Sequence, residues 1–225
     1  MKLFQTNKLV LSLKNNVSQF LNGLSSNSLD QPQNAFLNVH GRIVATFDQI
    51  KIKEDELLLV MEKPFVEEVL LHLERFAKLS NVTIERKEAY KVYFDLEGNY
   101  QTKPGEFSIK QKKGQLIITE KNLPSNIVEE EFTIFRLKNN IPLHGVDYKD
   151  ELLLNVSEED FVSYTKGCYL GQEPISKVHS RSKPSWKLVV KYENDCTEEE
   201  KAKITSKVMD PGKKKYLGFV FVSNQ

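Results

Sequence analysis

Residues 166–173 concentrate chemically active side chains around one of the two cysteines of the chain. Cys168 stands between Gly167 and Gly171, and an ammonium, a phenol, an amide and a carboxylate lie within five residues of it. Glycines this close together indicate a sharp turn or a close approach of the backbone. A packed core requires no such combination of side chains, so we interpret the segment as a functional site.

The chemistry expected of Cys168 depends on its thiolate form, which nearby cations and helix N-termini favour. Lys166 supplies a cation, and Pro174 suits the first turn of a helix, which predicts a helix that begins at Gly171 or Gln172. A buried thiol that merely packs at a tight junction is the alternative reading.

A second helix is predicted before the cysteine. Ser157 and Asp160 have the spacing of a helix start, and Gly167 stands where a left-handed residue would end such a helix. These two predictions place Cys168 just beyond one helix and just before the next.

Composition limits the classes of function that the chain can have. It has 225 residues, 40% of them hydrophobic and 28% charged, as expected for a soluble globular protein. The net charge of +1 gives no global attraction to nucleic acid or anionic membranes. No apolar segment reaches the roughly 18 residues of a membrane span, and residues 1–16 lack a signal-peptide pattern. We therefore predict a cytoplasmic protein without a membrane partner.

Basic residues gather after the cysteine segment, with no acid among them beyond Glu173. A local positive patch of this kind predicts an anionic partner, either a carboxylate-bearing cofactor tail, a phosphate or RNA, and a solvated basic surface is the alternative. Trp186, the one tryptophan, is expected to be buried beneath the terminal part of the chain. The basic residues are Lys177, His179, Arg181, Lys183, Lys187 and Lys191.

Strand-like and helix-like patterns alternate irregularly, which favours an α+β fold over a doubly wound sheet. An amphipathic helix is predicted after Pro64. Asn126 and Glu129 have the spacing of a cap for a helix that runs to about Lys138, although Phe132 and Ile134 also fit a strand. The predicted domain organisation is an α+β region over residues 1–183, with two subdomains, and a short C-terminal β domain over residues 184–225.

The segment 166–173 matches the Lys-Gly-Cys-Tyr-x-Gly-Gln-Glu signature and therefore resembles the YgfZ-type folate-binding proteins. These are relatives of the glycine cleavage T-protein and serve iron–sulfur cluster assembly or repair. Residues 20–24 resemble the family's early Phe-Leu-x-Gly segment, and residues 36–42 resemble its hairpin ending in Gly-Arg. The resemblance is specific around Cys168 and loose over the rest of the chain.

The resemblance implies a ring of subdomains, with antiparallel sheets and packed helices, around a central hole for tetrahydrofolate or a derivative. It also implies a small, shortened C-terminal β-barrel-like part and a functional thiol at Cys168, with transient iron ligation possible there. The partners implied are folate and iron–sulfur client or assembly proteins. The residues implied to bind the cofactor are Lys166, Tyr169, Gly171, Gln172, Glu173, Lys177, Arg181, Asn38 and Arg42.

The sequence departs from the family pattern at three places. Leu154 stands before Asn155 where many relatives have a glutamate suited to bonding the pterin, Lys177 replaces a usual arginine, and Ser182 replaces a usual glycine. The Gly-rich segment with an aspartate that T-proteins use for aminomethyl transfer is not seen, which disfavours that activity. We therefore expect an accessory folate-binding protein for iron–sulfur enzymes rather than an enzyme with turnover. A folate-dependent one-carbon transferase and a folate-independent RNA-interaction module are the alternatives.

Overall fold

The computed structural model describes residues 1–224, which form twelve strands and seven α-helices. The strands are β1 (Leu3–Gln5), β2 (Lys8–Lys14), β3 (Gln33–Leu37), β4 (Ile43–Lys53), β5 (Glu56–Glu62), β6 (Thr83–Arg86), β7 (Lys91–Asp95), β8 (Phe107–Lys110), β9 (Gln115–Thr119), β10 (Trp186–Tyr192), β11 (Thr205–Asp210) and β12 (Lys215–Ser223). The helices are α1 (Val17–Asn22), α2 (Val66–Ser80), α3 (Glu129–Lys138), α4 (Leu153–Val156), α5 (Glu158–Phe161), α6 (Gln172–Arg181) and α7 (Glu198–Lys201).

The strands form three antiparallel sheets, so the α+β class predicted from the sequence is confirmed. A five-stranded sheet has the order β3-β4-β5-β2-β6, a four-stranded sheet has the order β1-β7-β9-β8, and a three-stranded sheet has the order β10-β12-β11. Within residues 1–224 the C-terminal sheet is open and not a closed barrel, because three strands are too few to close on themselves.

The five-stranded sheet is buried on both faces. Along β2, Leu9, Leu11 and Leu13 join the cluster formed with helices α1 and α2, whereas Val10 joins the cluster formed with the four-stranded sheet. Successive side chains of a strand point to opposite faces, so a run of apolar residues can serve two cores at once. This sheet therefore connects the helical layer to the four-stranded sheet.

Helix α2 follows the predicted amphipathic pattern. Val66, Val69, Leu73 and Ala77 are buried at spacings of three and four residues, which place them on one face of a helix. The helix begins after a 3₁₀ turn that contains Pro64, and it ends at Asn81 in the left-handed conformation.

Helix α3 forms as predicted, but Asn126 does not cap it. The helix begins after Val128, three glutamates occupy its first turn, and Arg136 and Lys138 lie in its last turn, as the helix dipole favours. The side-chain oxygen of Asn126 instead accepts a hydrogen bond from Leu3 N at 2.8 Å, so this asparagine ties down strand β1.

The C-terminal sheet packs on residues of strand β3 and helix α6. Leu188, Val208, Leu217 and Phe219 share a buried cluster whose other members include Ala35, Leu37 and Ile175. Trp186, by contrast, is 48% exposed, and the prediction that it is buried was wrong. It is the first residue of β10, where the strand has not yet entered the core.

Candidate functional site

The segment around Cys168 is a loop rather than a junction between two helices. Helix α5 ends at Phe161, and Gly167 does not adopt a left-handed conformation, so the prediction that Cys168 lies just beyond a helix end was wrong. The cap bond from Asp160 N to Ser157 Oγ is present, but Val162 is extended and Ser163 N donates to Ser26 O at 3.0 Å. This long-range bond draws the chain out of the helix after one turn.

Lys166 anchors the loop to the N-terminal half of the protein. Its ammonium donates to the carbonyl oxygens of Ser25 and Asn27, the latter at 3.0 Å, and lies 5.2 Å from the centre of the Tyr169 ring. Burial lowers the pKa of Lys166 to about 8. Because both bonds are made by this one side chain, Lys166 fixes the loop in front of Cys168.

Tyr169 and Leu170 fix the loop behind the cysteine. Tyr169 is buried, which raises the pKa of its phenol to about 12, and Leu170 N donates to Gly23 O at 3.0 Å. Cys168 itself is exposed, whereas Cys196 is buried and burial raises the pKa of its thiol. The structure thus presents the Cys168 thiol to solvent on a loop held at both ends.

Helix α6 begins immediately after this loop, as predicted. Gly171 occupies its N-cap position with φ of 82°, and a Cβ there would lie 2.4 Å from Asn38 O. Asn38 belongs to the turn between β3 and β4, where its side-chain oxygen accepts from His40 N and Arg42 N. The hairpin and the cysteine segment, which are far apart in sequence, are therefore packed together through Gly171.

The remaining candidate residues lie on helix α6 or beside the hairpin turn at Asn38. Arg42 donates to Asp150 O at 2.9 Å, and Gln172 N donates to Tyr169 O at 3.2 Å. Glu173 lies in the first turn of α6, and Lys177 and Arg181 follow on the same helix, four residues apart and exposed. Of the ion pairs formed by residues 1–224, none involves Lys177 or Arg181, so both cations are free to meet an anion.

The Gly171→Ala substitution is expected to destabilise the protein by about 1–3 kcal/mol, because alanine is strained at this φ and its Cβ meets Asn38. Gly167→Ala is a matched control in the same loop, since a Cβ at Gly167 meets nothing within 4 Å. Urea denaturation of both variants measures the difference. Equal stability losses in the two variants would contradict the close contact.

A cavity lies elsewhere, between the five-stranded sheet, the four-stranded sheet and the segment 141–149. Its volume is about 620 Å³, within the range of small-molecule sites. Aromatic side chains form much of its wall, and none of the nine candidate cofactor-binding residues lines it in the part of the chain described. The aromatic residues are Phe4, Phe47, Phe65, Phe94, Phe132, His144, Tyr148 and Phe161.

A cluster of buried charges lies in the cavity wall. The Lys8 ammonium is 3.0 Å from a Glu62 carboxylate oxygen and 3.4 Å from an Asp48 carboxylate oxygen, and Gln111 donates to Asp48 at 2.9 Å. Burial alone would lower the pKa of Lys8, but Glu62 and Asp48 raise it well above its ordinary value. Two carboxylates therefore share one cation, which leaves this cluster with a net negative charge.

His144 also lies in the cavity wall, although it is distant in sequence from Lys8, Asp48 and Glu62. Its ring stacks on Phe65 at 3.7 Å and on Tyr148 at 5.3 Å between ring centres. Neither ring nitrogen has a hydrogen-bond partner within residues 1–224. Burial lowers the pKa of His144 to about 4, so the ring is neutral at pH 7.

The sequence did not predict this cavity, because its residues come from distant parts of the chain. One signal was present, since Asp48 stands in the middle of β4 beside Phe47 and such a charge is seldom buried without a partner. Lys8, Glu62 and His144 carried no comparable signal, since strand ends and loops ordinarily hold polar residues.

Comparisons with known proteins give the fold. The chain superposes on glycine cleavage system aminomethyltransferase T from Bartonella henselae with a TM-score of 0.68 and 14% identity, over 99% of this chain and 78% of that one. It is also 24% identical over 148 residues, 63% of the chain, to an uncharacterised protein of Haemophilus influenzae. The match spans about half the length of that curated relative. No protein-family model matches the chain.

The chain therefore has the fold of the aminomethyltransferase T class. This likeness at low identity establishes the architecture, and any activity has to be argued from the side chains of this chain. None of the helices in residues 1–224 is long and apolar enough to cross a membrane.

Proposed function

We propose that this protein binds a reduced folate in the cavity between its two larger sheets. The observation that carries the proposal is a cavity of about 620 Å³ that combines aromatic walls with a buried cluster of charges, in a chain with the aminomethyltransferase fold. Flat heterocycles favour such sites, because apolar walls take up the ring faces and a few placed polar groups orient the ring edge.

The charge cluster suits the polar edge of a pterin. This edge carries adjacent N–H groups that donate to a carboxylate, and a carbonyl oxygen that accepts from an ammonium. Asp48 and Glu62 would accept from the N–H groups, and Lys8 would donate to the carbonyl oxygen. The carboxylates of the folate tail need cations in turn, and Lys177 and Arg181 remain the proposed contacts for them.

Titration with 5-formyltetrahydrofolate tests this proposal by calorimetry. We expect one site per chain and an affinity about tenfold weaker in the Asp48→Asn variant, since a charge-assisted hydrogen bond contributes about 1.5–3 kcal/mol. Asp30→Asn is the control, because Asp30 is exposed outside the cavity wall. Absence of binding to the wild-type protein would overturn the proposal.

The finer proposal is an accessory role in maturing or repairing iron–sulfur enzymes, with Cys168 as the functional thiol. The exposure of Cys168, on a loop held by Lys166 and Tyr169, supports this role because a thiol acts only where a partner can reach it. A deletion strain complemented with a folded Cys168→Ala variant provides the test. Full restoration of cluster-enzyme activity by that variant would exclude a role for the thiol.

A folate-dependent one-carbon transferase is the second candidate, and the likeness of the fold to an aminomethyltransferase favours it. Turnover of a methylene- or aminomethyl-folate substrate distinguishes an enzyme from an accessory protein. Titration with RNA at two salt concentrations examines the remaining alternative, because affinity due to phosphates falls steeply with salt.

A further inference from the structure

The segment 143–149 forms one wall of the cavity. All of its residues except Asp147 line the cavity, and the segment contains neither a helix nor a strand. Its own hydrogen bonds, Gly145 N to Tyr148 O at 2.7 Å and Asp147 N to Leu143 O at 2.9 Å, shape the loop without attaching it to the rest of the protein. Two buried side chains attach the segment instead: Tyr148, whose hydroxyl lies 2.7 Å from Thr46 Oγ1, and Asp147.

Asp147 is fully buried, and four donors surround its carboxylate. Oδ2 accepts from Arg136 Nη1 and from Leu143 N, both at 2.8 Å. Oδ1 accepts from Thr205 Oγ1 at 2.8 Å and from Ser206 Oγ at 2.6 Å. Arg136 lies on α3, whereas both hydroxyls come from the C-terminal sheet, so this sheet attaches the cavity wall directly.

Strand β11 is distorted at the two residues that supply these hydroxyls. Its register with β12 shifts between Thr205 and Val208, and Ser206 has φ of 49°, a conformation that is unfavourable for a residue with a Cβ. Gly218 faces this bulge, and a Cβ there would lie 2.5 Å from Thr205 O. Bulges re-aim side chains, and this one directs two hydroxyls at a single carboxylate.

We propose that Thr205 and Ser206 are positioning residues that hold the segment 143–149 in the conformation that forms the ligand-binding wall. The C-terminal sheet thereby acts on a cavity that its own residues do not line. The part of this inference that concerns a ligand rests on the proposed folate site, whereas the part that concerns the position of the wall does not.

His144 reports the position of the wall independently of overall stability. Burial between Phe65 and Tyr148, together with the nearby charges of Lys8 and Lys149, lowers its pKa to about 4. A segment released from Asp147 would expose the ring to water and bring the pKa back towards its ordinary value. NMR titration of the His144 ring protons measures this change in the folded protein.

The test compares Thr205→Val, which keeps the shape of the side chain and loses the hydroxyl, with Thr205→Ser, which keeps the hydroxyl. Valine is expected to raise the pKa of His144 by about one pH unit and to weaken 5-formyltetrahydrofolate binding about tenfold. Serine is expected to leave both near wild type. If the Thr205→Val variant does not fold, the Ser206→Ala variant is measured in its place by the same two experiments.

Tyr192→Phe is the control for a merely structural effect. It removes a 2.9 Å hydrogen bond to Asp210 in the same sheet but does not touch Asp147, so the pKa of His144 should not change. An unchanged His144 in Thr205→Val, or an equal change in Tyr192→Phe, overturns the inference. If His144 changes as expected while the wild type binds no folate, the positioning role stands and the proposed folate site fails.

Discussion

Replacing Arg136 with methionine is expected to lower the free energy of unfolding by about 3–5 kcal/mol, as measured by urea denaturation at pH 7. The side chain of Arg136 is 2% exposed and that of Asp147 is 0% exposed, and 2.8 Å separates Nη1 from Oδ2. Methionine fills much of the space but leaves the Asp147 carboxylate buried without its cation. The loss comes from that uncompensated charge.

An exposed ion pair in the same protein provides the control. Arg86 pairs with Glu67 at 2.5 Å, and these side chains are 39% and 75% exposed. Arg86→Met is expected to change the stability by no more than about 0.5 kcal/mol, because water already solvates both charges. A similar loss in the two variants would show that burial of the Arg136–Asp147 pair is not what makes it important.

Replacing His144 with phenylalanine is expected to reduce the loss of stability on acidification by about 2 kcal/mol between pH 7 and pH 5. The folded-state pKa of His144 is lowered to about 4 by burial, whereas the ordinary value is 6.5. Between these two values the unfolded chain binds a proton that the folded chain excludes, so stability contributed by neutral His144 is lost as the pH falls.

Urea denaturation of the wild-type and His144→Phe proteins at both pH values measures this difference. Phenylalanine keeps the stacking on Phe65, and His72, whose pKa burial also lowers, is present in both proteins and cancels in the comparison. If the free energy of unfolding fell equally with pH in the two proteins, His144 would not be protected from protonation in the folded state.

Local patterns in the sequence predicted the elements that are stabilised locally. Helix α2 follows from its apolar period of three to four residues, and the start of α6 follows from Pro174. The end of α5 did not follow from local signals, because a bond between Ser163 and Ser26 determines it. Contacts between distant segments decide such boundaries, and no local pattern encodes them.

The candidate site, like the fold, was predicted only in part from the sequence. The signature around Cys168 and the hairpin at Asn38 were identified from the sequence, and the structure packs them together through Gly171. The cavity was not identified, because Lys8, Asp48 and His144 come together only when the sheets and the segment 143–149 assemble. Whether the nine predicted residues contact a cofactor remains a prediction.

A crystal structure of the protein with 5-formyltetrahydrofolate tests the central claim most directly. We expect a pterin ring inside the cavity, between its aromatic walls, with its N–H edge on Asp48 or Glu62. A folate bound only on the outer surface of α6, or an empty cavity at saturating folate, would contradict it.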